Sequence, residues 1–285
     1  MYRLGAVALL VLGAIGACRQ AGPPPRQFTL VGQVVAVTPE RNEITIKHED
    51  IKNFMPGMTM PFKVQDPGLL KERAPGDLVT ATLVVGEVQA YLSSVTKTGS
   101  APLTDAPPAP VAEGLKRGDA VADGAFQDQE GTARRLTDWR GHRVALTFIY
   151  TRCPLPEFCP LMDRHFVAVQ RAMAKAPEFA DVRLLTITMD PAFDTPAVMK
   201  NHAASLKADP ATWAFLTPAA EGSAAFFEQF GLIVEREGTG GADITHNLRT
   251  VVLDAEGRVS AIRTGNDWTP AQLIADLRAT PPPQS

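Results

Sequence analysis

The chain has 285 residues, carries 28 Lys and Arg against 31 Asp and Glu, and is 45% hydrophobic. That is too apolar and too weakly charged for a disordered chain, and long enough for two modest domains. A net charge of −3 gives no basic surface for a nucleic-acid partner, and three cysteines are too few for a disulfide scaffold.

Met1-Tyr2-Arg3 is a short positive start, and residues 4–17 form an uninterrupted apolar run. The run is too short for a stable spanning helix, which needs about 20 residues, and reads as a secretory signal. It ends Ile15-Gly16-Ala17-Cys18, which resembles a bacterial lipobox. The resemblance implies cleavage before Cys18 and lipidation of that cysteine, an anchor that needs no transmembrane helix. Residues 18–27, with Pro23-Pro24-Pro25, form a stiff tether. The expected location is the bacterial cell envelope, lipid-anchored to a membrane and facing the periplasm or the exterior. Cys153 and Cys159 are then the remaining thiols.

Five short β-branched segments follow, at 28–37, 42–48, 58–64, 78–85 and 89–96. Turn residues separate them, among them Pro39, Pro56-Gly57, Pro67-Gly68, Pro75-Gly76 and Gly86. This predicts a small all-β OB-like barrel over 28–98. Residues 99–114 hold four prolines and almost no bulky apolar side chain, so they read as an extended linker.

The segment 115–280 alternates. A near-continuous apolar strand is predicted at 144–150 and a second at 182–189. Between them, Met162, Phe166, Val169 and Met173 recur at helical spacing over 160–175. Thr195-Pro196 reads as N-cap and N1 of a helix to Leu206. A helix over 222–230, a strand pair at 248–253 and 258–264, and a last helix capped by Thr269-Pro270 complete an α/β thioredoxin-like order. Residues 281–285 are a frayed tail.

The stretch from His48 to Phe62 holds three of the eight methionines. Met58 and Met60 are two apart on a predicted strand, so their thioethers share a face. Thioether plus imidazole suits Cu(I), and thioethers cannot be lost to disulfides in an oxidising compartment. Core filling by methionine is the plainer reading of the pair alone. The whole string, His48 then Met58-Thr59-Met60, resembles the CusF-like periplasmic copper-binding domain, a five-stranded OB barrel. The resemblance carries its three ligands to His48, Met58 and Met60, with a His-to-Met spacing one residue shorter. Where the best-known member of that family places a Trp over the copper, this chain has Phe54-Met55, so a different aromatic cap or a fourth thioether from Met55 is expected.

Cys153-Pro154-Leu155-Pro156-Glu157-Phe158-Cys159-Pro160 joins a buried strand to a helix. Cys159 is expected at the helix N-cap, where the dipole lowers a thiol pKa. The pair is open to three uses: a structural disulfide, a redox couple, or two ligands to a soft metal. A disulfide across so short a loop constrains little of the unfolded chain, and the strand-to-helix position is the reactive one in thioredoxin-like folds. His246 precedes a strand whose start is expected to face this loop, so Cys153, Cys159 and His246 would make an S₂N site suited to Cu(I). His142, His165 and His202 read as structural or surface residues.

Cys-Pro…Cys-Pro after Thr151, then Asp190-Pro191 with Asp194-Thr195-Pro196, then the late His246, together resemble the Sco/SenC family of thioredoxin-fold copper proteins. The resemblance implies the ligands Cys153, Cys159 and His246, with Cu(II) an alternative to Cu(I) there. It also implies copper delivery to the CuA centre of cytochrome c oxidase or to another periplasmic cuproprotein. A thiol–disulfide oxidoreductase with Cys153 and Cys159 as its redox pair, and copper sequestration, are the other readings. Five residues separate the cysteines here where that family has three. A peroxiredoxin would want Thr and Pro where Tyr150 and Leu146 stand.

Overall fold

The structure is a computed structural model and describes residues 24–55, 57–103, 114–219, 222–232, 234–237 and 243–283. Cys18 and its signal, Pro56, most of the linker, the Gly238-Thr239-Gly240-Gly241 loop and the last two residues of the tail lie outside these.

All five strands expected in the first part are present: β1 (Arg26–Thr38), β2 (Glu43–His48), β3 (Met58–Lys63), β4 (Asp77–Val85) and β5 (Ala90–Ser100). They form one antiparallel sheet in the order β3-β2-β1-β4-β5. Just past β3, Val64 makes an isolated parallel bridge to Leu92 of β5, so the sheet curls toward an OB-like barrel without closing it. In β3 the buried residues alternate as Met58, Met60 and Phe62, the period-two pattern of a half-buried strand. Register pairs His48 with Met58 and Ile46 with Met60, which sets His48 and Met58 on one face. Gly32 lies opposite His48, where a Cβ would sit 2.4 Å from the Lys47 carbonyl oxygen. Only glycine lets β1 and β2 approach this closely beside the histidine.

The second part holds β6 (Ala125–Asp128), β7 (Ala133–Arg135), β8 (Arg143–Ile149), α1 (Cys159–Met173), β9 (Val182–Thr188), α2 (Pro196–Leu206), β10 (Trp213–Pro218) and α3 (Ser223–Glu228). It continues with β11 (Val234–Glu237), β12 (Asp243–His246), β13 (Arg249–Leu253), β14 (Val259–Thr264) and α4 (Pro270–Ala279). The main sheet runs β14-β13-β8-β9-β10-β6-β7, with β8, β9 and β10 parallel, a thioredoxin-like core. Every residue of β8 is buried. The apolar stripe of α1, from Met162 to Met173, packs onto that core. Arg143 fastens the start of β8: its guanidinium pairs with Asp181 at 2.6 Å and donates to the Leu277 carbonyl at 2.7 Å.

Five strands were not expected. β10 contains Pro218 and looks like a loop entry, yet all but one of its residues are buried against β9. β7 is a short charged edge strand and β6 lies between it and β10, and the form of both comes from these pairings. Among the described residues β11 and β12 pair only with each other. Helix α1 begins at Cys159 with Phe158 as N-cap, one residue earlier than the N-cap expectation for Cys159.

Candidate metal centre

The loop after β8 is rooted by carboxylates. Asp194, fully buried, accepts from the Thr151 amide at 3.0 Å, from the Thr151 hydroxyl, and from the Thr188 hydroxyl at 2.6 Å. Asp190 pairs with Arg152 at 2.5 Å, and the Arg152 guanidinium lies 4.0 Å from the Phe193 ring centre. The acidic residues after β9 therefore hold the backbone that leads into Cys153. A buried carboxylate that accepts several hydrogen bonds is stable where it sits and costly to remove.

Both thiols are free, Cys153 half-buried and Cys159 buried. They are not equivalent. The Cys159 thiol hydrogen-bonds Cys153, and with further donors including Tyr150 this holds the Cys153 pKa below the usual thiol range. Burial pushes Cys159 well above it. The sequence expectation, a helix dipole lowering Cys159, is reversed. Cys159 is 1% exposed, and desolvation of its thiolate outweighs the dipole. Thiolate character falls to Cys153.

His246 ends β12, and its Nε2 lies 3.9 Å from the Cys159 sulfur. Its Nδ1 is 3.1 Å from the Asn247 carbonyl oxygen, which only accepts, so the proton sits on Nδ1 and Nε2 keeps its lone pair. Burial lowers the ring's pKa to about 4, leaving a neutral imidazole, the metal-binding form. Tyr150 stands edge-on to this ring, with centroids 5.5 Å apart. Tyr150 was not singled out from sequence as a site residue, although its place directly before Thr151-Arg152-Cys153 was a usable signal.

In the barrel, His48 repeats the arrangement. Its Nδ1 lies 2.8 Å from the Glu49 carbonyl oxygen, and its Nε2 is buried with no hydrogen-bond partner among the described residues. Burial lowers this pKa too. An orphaned neutral imidazole nitrogen beside the Met58 position is a donor set fitted to a soft cation. Phe54 stacks on Phe28 with centroids 4.2 Å apart. Met55 instead joins Met58 and Met60, and all three are buried.

The two halves then converge. A cavity of about 50 Å³ is lined by Met55, Met58 and Met60 on one side and by Cys153, Tyr150 and His246 on the other. Cys159 reaches this group through His246, while His48, the cross-strand partner of Met58, does not line the cavity. Among the described residues no three His, Cys, Asp or Glu side chains are gathered closely enough to hold an ion by themselves. The arrangement puts thioethers of one half beside thiols and imidazole of the other, a set of soft donors for a soft ion.

Residues 115–280 match the family model for SCO1/SenC, and residues 27–97 match the one described as copper binding periplasmic protein CusF. The chain is 29% identical over 157 residues to the SCO1 protein homolog of Bacillus subtilis, a match covering 54% of this chain and 79% of that protein. It is 38% identical over 85 residues to the mitochondrial SCO2 homolog of Bos taurus, covering 29% of this chain and 31% of that one. A SCO1/SenC family lipoprotein from Bacillus anthracis, at 21% identity and a TM-score of 0.51, covers 60% of this chain and 98% of that structure, and shares the fold.

Proposed function

The chain belongs to the SCO1/SenC family and carries a CusF-like region at its N-terminal side, and from that premise we propose that it is a two-site Cu(I) chaperone of the cell envelope. The barrel, 28–98, would hold copper through His48, Met58, Met60 and Met55. The thioredoxin-like part, 115–280, would hold it through Cys153, Cys159 and His246. The acceptor in this reading is the CuA centre of cytochrome c oxidase or another periplasmic cuproprotein, and the anchor is lipid on Cys18. Among the described residues no helix is long and apolar enough to cross a membrane.

One observation carries it: the Cys153 thiol, the neutral imidazole of His246 and the thioethers of Met55, Met58 and Met60 line one cavity, with the Cys159 sulfur 3.9 Å from that imidazole. Thioethers bind Cu(I) whatever the thiol redox state, whereas Cys153 and Cys159 bind only when reduced. The test is copper stoichiometry on the full chain. Two Cu(I) per reduced chain and one per oxidised chain support the reading; one in both states overturns it.

The unequal thiols favour a second reading, a thiol–disulfide reductant acting on acceptor cysteines. The half-buried, low-pKa Cys153 would attack, and the buried Cys159 would resolve the mixed disulfide. A Cys153–Cys159 reduction potential too high to reduce a dithiol-forming target would rule it out.

A further inference from the structure

The five residues between the cysteines do more than connect them. Leu155 is 4% exposed and belongs to the apolar core of the barrel rather than to that of the main sheet. Cys153 and Phe158 pack against both cores. The Glu157 carboxylate accepts from the Ala90 amide, at the start of β5, at 2.9 Å. The Glu157 carbonyl accepts from the Asn266 side chain, also at 2.9 Å. One residue thus ties the loop to the barrel in front of it and to the segment before α4 behind it. On the same flank Arg41 pairs with Asp267 at 3.2 Å, and β12 lies alongside β3.

A loop whose only task is to hold two sulfurs has no reason to bury a leucine in another unit's core. Burial of that side chain is a favourable hydrophobic contribution. It is gained only when the barrel sits on the loop with its methionine strand toward Cys153 and His246. Seating the barrel and closing the cavity are one event.

We propose that the inter-cysteine loop is a docking element that holds the methionine face of the barrel on the Cys/His centre, so that Cu(I) passes between them inside one chamber. This rests on the copper reading above. The ion leaves neutral donors, the thioethers and the His48 nitrogen, and bonds to the sulfurs of Cys153 and Cys159 and to Nε2 of His246. The two thiol protons go to solvent, copper stays in the +1 state, and no electrons move. Anionic thiolates hold Cu(I) more tightly than neutral thioethers, so the ion runs from barrel to cysteines while the thiols are reduced. Docking replaces diffusion by a fixed juxtaposition, the limiting case of high effective concentration.

The test uses the full chain, reduced and metal-free, given one equivalent of Cu(I) with a water-soluble Cu(I) chelator in competition. Transfer is read as growth of thiolate-to-copper absorption, and docking as the solution radius of gyration with amide exchange at Ala90. The variants are Leu155→Asp, which puts a charge into the barrel core, and Ala90→Pro, which removes the amide donor at a strand start that tolerates proline. In the wild type, transfer is expected to be first-order, independent of protein concentration and resistant to the chelator. In both variants the chain is expected to expand, Ala90→Pro being read by radius alone. Transfer in both is then expected to be intercepted by the chelator and to slow at least tenfold at micromolar protein. Chelator-resistant transfer at the wild-type rate in both variants overturns the proposal alone. Failure of the absorption to appear in the wild type overturns the copper reading and the transfer proposal together.

Discussion

Nε2 of His246 lies 3.9 Å from the sulfur of Cys159 across 87 residues of chain, while the opposite ring nitrogen is held by the Asn247 carbonyl. The imidazole is thereby fixed in tautomer and direction before any ion arrives. Replacing His246 by Ala should lower Cu(I) affinity of the reduced thiol site by more than the ~10–100-fold typical of losing an outer-sphere partner. Chelator competition on the reduced protein measures it, and an unchanged affinity removes His246 from the ligand set.

Cys153 and Cys159 should differ in reactivity. Cys153 is half-buried with a stabilised thiolate, and Cys159 is buried with its pKa raised. Brief treatment of the reduced, metal-free protein with iodoacetamide should label Cys153 at least tenfold faster than Cys159. Peptide mass spectrometry reads the ratio; equal labelling contradicts the assignment.

Met58→Leu removes one thioether with little change in volume, so stability should fall by less than about 1.5 kcal/mol. Copper bound by the oxidised chain should fall severalfold in affinity, while the thiolate absorption of the fully loaded reduced chain persists. Undiminished binding by the oxidised chain would mean that Met58 only fills the core.

Asp194→Asn leaves the side chain in place but weakens bonds that root Thr151 to Thr188. Charged acceptors of this kind contribute about 1.5–3 kcal/mol each, so urea denaturation of the metal-free protein should show a loss of at least about 2 kcal/mol. Copper affinity of the thiol site should drop as well, because Thr151 leads directly into Cys153.

Asp181 supplies a pH dependence. The Arg143 guanidinium beside it holds its carboxyl below the usual carboxylate range. A carboxylate with a lowered folded pKa stabilises the protein above its unfolded pKa, about 3.9, and that contribution is lost as pH falls through the folded value. Asp181→Asn should therefore cost about 1.5–3 kcal/mol at pH 7 and progressively less below about pH 4. Urea titrations at pH 7 and pH 3 test it, and a constant difference contradicts it.

The strand and helix order was legible because side-chain periodicity is local. β8, α1 and β9 each carry their pattern within a few turns of chain, and α2 runs from Pro196 to Leu206 as Thr195-Pro196 predicts. β10, β6 and β7 were not legible, since their form depends on neighbours far along the chain. The thiol polarity was misread for a related reason. A helix start is visible in sequence, but the desolvation that buries Cys159 comes from the packed core around it.

By itself, then, the sequence determined the chemistry of this protein: soft donors in two groups, one on a barrel strand and one at a strand-to-helix loop. Residue identity and short-range spacing suffice for that. Only the tertiary structure decided that the two groups share a cavity, with Met58 facing Cys153 and Leu155 seated in the barrel core. The Glu157–Ala90 bond spans 67 residues, and a contact at that separation is selected by how two apolar cores fit together. No local pattern encodes that choice.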